Sequence, residues 1–237
     1  MITIPIILRT QSNSLTTWVH RGTSDKLVVC LSGIGRVREQ PPSYEFAFNA
    51  TSGGKHSVLF IADPNRTWLN GSGLINNICE EVDTFQKECG TSRTIAAGHS
   101  MGGFSALVLP DFLKIDAVLA FAPQLSIHPD VVPDETRWEY YRNRIDAFRI
   151  KTVADHFNED TTYTVISGSH RKEAAQRDRF PRMSNLRRYI VPDTHHNVPQ
   201  KLKQLGILDK IFHAAIHNQP RKLRLMLEKD ANAKLVL

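Results

Sequence analysis

A serine held between glycines, where an apolar run meets a helix-forming run, is suited to covalent attack on a carbonyl. Residues 94–103 read Thr-Ile-Ala-Ala-Gly-His-Ser-Met-Gly-Gly. Within them, Gly98-His99-Ser100-Met101-Gly102 has the Gly-x-Ser-x-Gly spacing of a nucleophile elbow. The glycines let the backbone tighten where a β-carbon would clash. That geometry lifts the Ser100 hydroxyl above the strand end and turns the Met101 amide toward a developing oxyanion. An ordinary glycine turn is the competing reading. The flanks favour the elbow, because Arg93 to Ala97 read as a buried strand and Phe104 to Leu109 as an apolar helix.

Such a serine needs a scaffold, and the rest of the chain supplies alternating elements. Ile2 to Leu8 and Leu15 to His20 read as a leading antiparallel pair. Core strands are expected at Lys26 to Leu31, His56 to Ile61, Arg93 to Ala97, Ala117 to Phe121, Tyr163 to Ile166 and Arg187 to Val191. Helical periods fall between them, most clearly at Ile75 to Glu88, where Ile75, Ile78, Val82 and Phe85 recur at spacings of three and four. The alternation predicts an α/β fold with a mostly parallel central sheet and helices on both faces. At 237 residues and 41% hydrophobic content, the chain fits one domain, 1–237, with a small insertion at 123–160 and a helical extension at 207–237. No internal repeat or long linker argues for a second domain.

Composition excludes several classes. Cys30, Cys79 and Cys89 are scattered and form no metal-ligand spacing, and Cys30 reads as a small buried hydrophobe. No run approaches the roughly 18 apolar residues of a membrane span. The apolar start lacks a basic leader and a cleavage site, so a cytoplasmic location is the expectation. The net charge of +6 is uneven, with Arg171, Lys172, Arg177, Arg179, Arg182, Arg187 and Arg188 close together. That run reads as a solvated basic face, or as an attractor for an anionic polysaccharide, a phosphorylated substrate or nucleic acid. No nucleic-acid module accompanies it, which disfavours the last.

In this order of strand, elbow, helix and downstream polar residues, the chain resembles the α/β-hydrolase fold superfamily from about Leu27 to Leu205. The resemblance implies a second oxyanion donor after an early strand. Here Val28-Val29-Cys30-Leu31 runs into Ser32-Gly33-Ile34-Gly35, so the Ile34 amide is the expected donor, with the Gly35 amide as the alternative and a plain flexible loop as the competing reading. It also implies a late general-base histidine, because an unassisted serine hydroxyl is barely ionised near pH 7. Pro192-Asp193-Thr194-His195-His196-Asn197-Val198 follows the last core strand, and the position just before the final helix favours His196 over His195. The acid departs from the superfamily pattern. A Gly-x-x-Asp turn is implied, but Gly168-Ser169-His170-Arg171 puts an arginine there. Glu173 is the nearest carboxylate and Asp178 the alternative. A serine-histidine dyad without an acid is the third possibility.

Two segments bear on the substrate. Asp63-Pro64 leads through Trp68-Leu69-Asn70 at a strand end that should face the pocket. Asp63, Trp68 and Asn70 are therefore candidate substrate-binding residues, and the arrangement is similar to that of small bacterial hydrolases associated with surface polysaccharides. The competing reading is a turn fixed by Asp63 with Trp68 merely packed. The insertion at 123–160 is the expected lid, and it mixes Trp138, Tyr140, Tyr141 and Phe148 with Arg137, Arg142, Arg144 and Arg149, a set suited to an apolar acyl group or a sugar beside an anionic one. Aromatics packed inward with arginines toward water is the expected arrangement.

Together these readings predict a serine hydrolase of the esterase type. It would cleave a small or polar acyl ester, carbohydrate esters included, through an acyl-enzyme, with no cofactor and no metal implied. An acyltransferase using the same serine, and a non-catalytic scaffold in polysaccharide assembly, are the alternatives. Ile207 to Ile216 and Arg221 to Leu227 read as helices that cap the sheet or form a homodimer contact.

Overall fold

The computed structural model describes residues 4–236. One nine-stranded sheet organises the chain. Its strands are β1 (Ile7–Gln11), β2 (Thr16–His20), β3 (Lys26–Leu31), β4 (Ser57–Ala62), β5 (Arg93–His99), β6 (Ala117–Phe121), β7 (Thr162–Gly168), β8 (Leu186–Val191) and β9 (Lys234–Val236). The spatial order is β1-β2-β4-β3-β5-β6-β7-β8-β9. From β4 across to β8 every neighbouring pair is parallel, while β1 and β2 at one edge and β9 at the other pair antiparallel. The expected strand over Ile2 to Leu8 begins later, at Ile7, and residues 1–3 lie outside the described residues.

The parallel strands read as continuous apolar runs because both of their faces are covered. Leu27, Val29, Leu31, Leu59 and Ile61 pack on one face with the helices α2 (Leu74–Cys89) and α3 (Met101–Val108). Val28, Cys30, Val58, Phe60, Ile95 and Ala97 pack on the other. A short helix α1 (Ala47–Thr51) and the C-terminal helices α6 (Val198–Gln204), α7 (Leu208–Ile216) and α8 (Pro220–Asp230) cover that second face. Leu208, Ile211 and Phe212, the apolar stripe of α7, are buried there. Between β6 and β7 the chain leaves the sheet, forms α4 (Glu139–Arg142) and a 3-10 turn at Val153–His156, and returns; α5 (Ala174–Arg177) follows β7. Among the described residues no helix is long and apolar enough to cross a membrane.

Candidate active site

Ser100 turns the corner between β5 and α3 with φ 58° and ψ −121°. A non-glycine residue holds such a conformation at a cost of about 1–3 kcal/mol, and only where its surroundings over-determine it. Here the Ser100 amide donates to Phe121 O, and the Phe104 amide donates to Ser100 O, each at 2.9 Å. The flanking glycines permit the packing. A β-carbon at Gly98 would lie 2.2 Å from Gly102 O, and one at Gly102 would lie 2.0 Å from Leu31 O. No larger residue lets α3 sit this close to the ends of β3 and β5.

His196 Nε2 lies 2.8 Å from Ser100 Oγ, and its Nδ1 lies 3.0 Å from Glu173 Oε2. A carboxylate only accepts, so Nδ1 carries the proton and Nε2 is left to accept from the serine. The loop is stitched to the end of β7: the Ser169 amide donates to Val191 O and the His170 amide to Thr194 O, both at 3.0 Å. Of the adjacent pair, His195 faces away and stacks on His170 at 3.8 Å between ring centroids.

Glu173 arrives by way of a 3-10 turn at Arg171–Glu173, which bends the chain back toward His196 two residues beyond the aspartate position that the superfamily pattern implies. Burial alone would push its carboxyl up. The hydrogen bond and charge of His196, with the Arg137 guanidinium, outweigh burial and hold it below the usual carboxylate range. Arg137 Nη1 donates to Glu173 Oε1 at 2.5 Å. The same guanidinium grips Glu135 from Nε at 2.8 Å and Nη2 at 2.6 Å. Gln176 then fixes Glu135 to the segment after β6: its Nε2 donates to Glu135 Oε2 at 3.3 Å, and its Oε1 accepts from the Leu125 amide at 2.8 Å. The expectation that the lid arginines all face water is thus corrected at Arg137, which two buried carboxylates draw inward, and at Arg142, whose Nη1 donates to Glu135 O at 2.7 Å. Asp178, the alternative carboxylate, pairs with its neighbour Arg177 at 2.6 Å and 2.9 Å.

Two residues at this site escaped the sequence reading. Gln124 is buried beside the elbow. Its Oε1 accepts from Trp68 Nε1 at 2.9 Å, and an indole can only donate, so the amide orientation is fixed. Gln124 Nε2 therefore donates to Ser100 Oγ at 3.2 Å. The donors from Trp68 through Gln124, Ser100 and His196 all run in one direction, toward Glu173, and each bond polarises the next. The second residue is His99. Burial, and then the charge of His196, push its imidazole down to about 4. It is neutral at pH 7, and its Nε2 contacts His196 O at 3.0 Å, tethering the histidine loop from below. The only sequence signal for His99 was its place inside the elbow motif; Gln124 had none beyond following the strand after it.

The three residues expected at the substrate face inward. Asp63 accepts from the amides of Asn65, Arg66 and Thr67, fixing the loop after β4. Asn70 Oδ1 accepts from the Ile150 amide at 2.7 Å, and its Nδ2 donates to Thr67 O and Trp68 O. Backbone amides and the Thr67 hydroxyl thus engage the Asp63 carboxylate, and backbone groups alone engage the Asn70 amide. Trp68 is fully buried, so it is no exposed wall, and it acts on the site through Gln124.

On the oxyanion side, the Gly33 amide donates to Glu45 Oε2 at 3.4 Å and Ile34 O accepts from Arg66 Nε at 2.7 Å. The Ile34 and Met101 amides are not taken up by backbone carbonyls among the described residues. A cleft of about 1100 Å³ opens between the loop after β3 and α6, lined in part by Arg36, Tyr44, Glu45, His99, Asn197 and Lys203. Trp138 stands over the histidine, its ring 5.4 Å from that of His196.

The nine-stranded, mostly parallel sheet with helices on both faces is that of the α/β-hydrolase fold. Solved structures with this fold superpose over nearly the whole chain. The capsule O-acetyltransferase of Neisseria meningitidis serogroup A aligns with TM-score 0.61 at 12% identity, over 88% of this chain and 93% of its own. Est1E from Butyrivibrio proteoclasticus aligns with TM-score 0.58 at 16% identity, over 92% and 99%. An S-formylglutathione hydrolase from Agrobacterium tumefaciens aligns with TM-score 0.55 at 14% identity, over 92% and 94%. The chain matches no protein-family model and no curated protein.

Proposed function

We propose that this chain is a serine-dependent acyl-ester hydrolase, acting through an acyl-enzyme on small or polar esters, carbohydrate-borne esters included. The observation that carries the reading is the directed line from Ser100 through His196 to an ionised Glu173. Ser100 Oγ attacks the ester carbonyl while His196 Nε2 takes its proton. Glu173 balances the imidazolium, and the Met101 and Ile34 amides hold the oxyanion. His196 then returns the proton to the departing alcohol. Water, deprotonated by the same nitrogen, releases the acid and restores Ser100. Gln124 occupies a lone pair of Oγ, so the hydroxyl hydrogen points at His196.

Residues 123–160 serve as the lid in this reading. Ser100 is only 3% exposed and Trp138 covers the histidine, so the segment must shift to admit an acyl group. Arg137 couples that shift to the acid. The lid is too short for a long-chain lipase cap, which favours small or polar acyl groups.

A second reading is an acyltransferase that passes the acyl group to a sugar or alcohol. The likeness to a capsule O-acetyltransferase and the polar cleft beside His99 and Asn197 favour it. Turnover of short acyl esters and acetylated sugars, with competing alcohol acceptors and product analysis, tests both. Free acid as the main product supports hydrolysis; acyl transfer that dominates at modest acceptor concentration supports the second reading. No turnover with any ester, by a folded chain whose serine does not react, contradicts both and leaves a scaffold.

A further inference from the structure

The basic run noticed in the sequence is only partly absorbed by the active site. Arg182, Arg187 and Arg188 do not serve Ser100. With Arg221 and Arg224 of α8 they line a groove of about 680 Å³ along the β8 edge. It lies at the entry end of the parallel strands, whereas Ser100 stands at their exit end. Among the described residues β9 pairs with Arg188 to Ile190, and Leu235 and Val236 form one wall of the groove.

Several features are those of an anion site. No acidic side chain lines the groove among the described residues. The nearest carboxylates are marginal or occupied elsewhere: Glu228 Oε2 is 3.8 Å from Arg224 Nε, and Asp178 is held by Arg177. Burial, and then the like charge of Arg182, pull the Arg188 guanidinium below its ordinary value against the opposing charge of Asp178, and its Nη1 donates to Phe180 O at 3.3 Å. Tyr189, 1% exposed, also lines the groove, and its hydroxyl has no hydrogen-bond partner. A buried hydroxyl left unpaired costs about 1–3 kcal/mol unless a ligand takes it up. The first turn of α8 adds its partial positive charge, and its N-cap residue, Gln219, makes no side-chain bond to it.

We propose that this groove binds a ligand carrying two or three closely spaced phosphate groups, with the arginines gripping the phosphates and the Tyr189 hydroxyl donating to one phosphate oxygen. Guanidinium forks match phosphate geometry. A single phosphate carries about 1.5–2 negative charges, so the three guanidiniums of Arg187, Arg221 and Arg224, on the Tyr189 side of the strand, call for more than one. The site does not depend on the ester chemistry of Ser100.

Isothermal titration with sodium tripolyphosphate tests it. Saturable one-to-one binding is expected for the native chain and equally for Ser100→Ala. Arg187→Gln combined with Arg221→Gln should weaken it tenfold or more, and Tyr189→Phe several-fold. Lys87→Gln combined with Lys114→Gln, an equal charge loss on exposed residues elsewhere, should leave it unchanged. Melting temperatures of the variants check that each is folded, and serine labelling of the arginine variant checks that the catalytic end is intact. Equal weakening by both double variants, unsaturable binding, or no binding by the folded native chain would overturn the proposal. A mixed-sequence single-stranded oligonucleotide binding this groove more tightly than tripolyphosphate would overturn it in favour of nucleic acid.

Discussion

The two ends of the parallel strands treat charge in opposite ways. At the exit end, Glu173, Arg137, Glu135 and Gln176 interlock, and a fixed sequence of donors runs through Gln124, Ser100 and His196. At the entry end, arginines line a groove in which, among the described residues, no acidic side chain takes part and a buried tyrosine hydroxyl has no hydrogen-bond partner. A reaction centre needs dipoles held in place before the reaction, so its partners are internal. A binding groove keeps its charges free for a ligand. The same chain thus spends its polar residues on preorganisation at one end and leaves them available at the other.

That contrast can be broken by substitution. Ser100→Ala should lower ester turnover by at least about 10⁴-fold while leaving the melting temperature near that of the native chain. Retained turnover in a clean preparation would move the chemistry elsewhere. Glu173→Gln should cost about 10³–10⁴-fold in kcat, since an amide can present the wrong group to His196 Nδ1. An unchanged rate would leave a dyad. Arg137→Leu strips the shared cation from two buried carboxylates. It should destabilise the chain by about 2–3 kcal/mol in chemical denaturation, less than a fully buried pair because Arg137 is partly open. The arginine pair Arg187→Gln and Arg221→Gln should change neither turnover nor stability appreciably.

Smaller effects sharpen the picture. Trp68→Phe removes one neutral hydrogen bond and frees the Gln124 amide to flip, so kcat should fall about 2- to 12-fold with KM little changed. A change confined to KM would make Trp68 a packing residue only. The pH dependence of stability is subtler. His56 and His99 are each pushed down to about 4, chiefly by burial, from an ordinary value of 6.5. Between those values the unfolded chain binds more protons, so stability falls as pH drops from about 6.5 toward 4. Glu45 opposes this: burial raises it to about 6 from 4.5, so its folded form takes up a proton first and gains stability over that window. Glu45→Gln should therefore steepen the acid-side decline in melting temperature. An unchanged or shallower decline would contradict these assignments.

Much of the fold was legible because its strands obey simple rules. Lys26 to Leu31 and Ala117 to Phe121 were bounded correctly, since runs buried on both faces stand out as unbroken apolar segments. α2 showed its stripe of Ile78, Val82 and Phe85 at helical spacing. β9 and α1 were missed, being too short to carry a period. At the site, local spacing gave the elbow, and the resemblance pointed to His196 and left Glu173 among alternatives. Asp63 and Asn70 are ambiguous in the sequence because a polar residue at a strand end reads alike whether it meets a ligand or ties its own loop. Arg137 and Gln124 were illegible in their roles. Their partners lie 36 and 24 residues away in the chain, and only the folded lid and elbow bring them together.

The most direct test is fluorophosphonate labelling at neutral pH, read by intact mass, of the native chain beside Ser100→Ala and His196→Ala. One adduct on the native chain, lost in both variants, is the result expected of a serine activated by His196. No adduct on a folded native chain, or an adduct that survives Ser100→Ala, would contradict it.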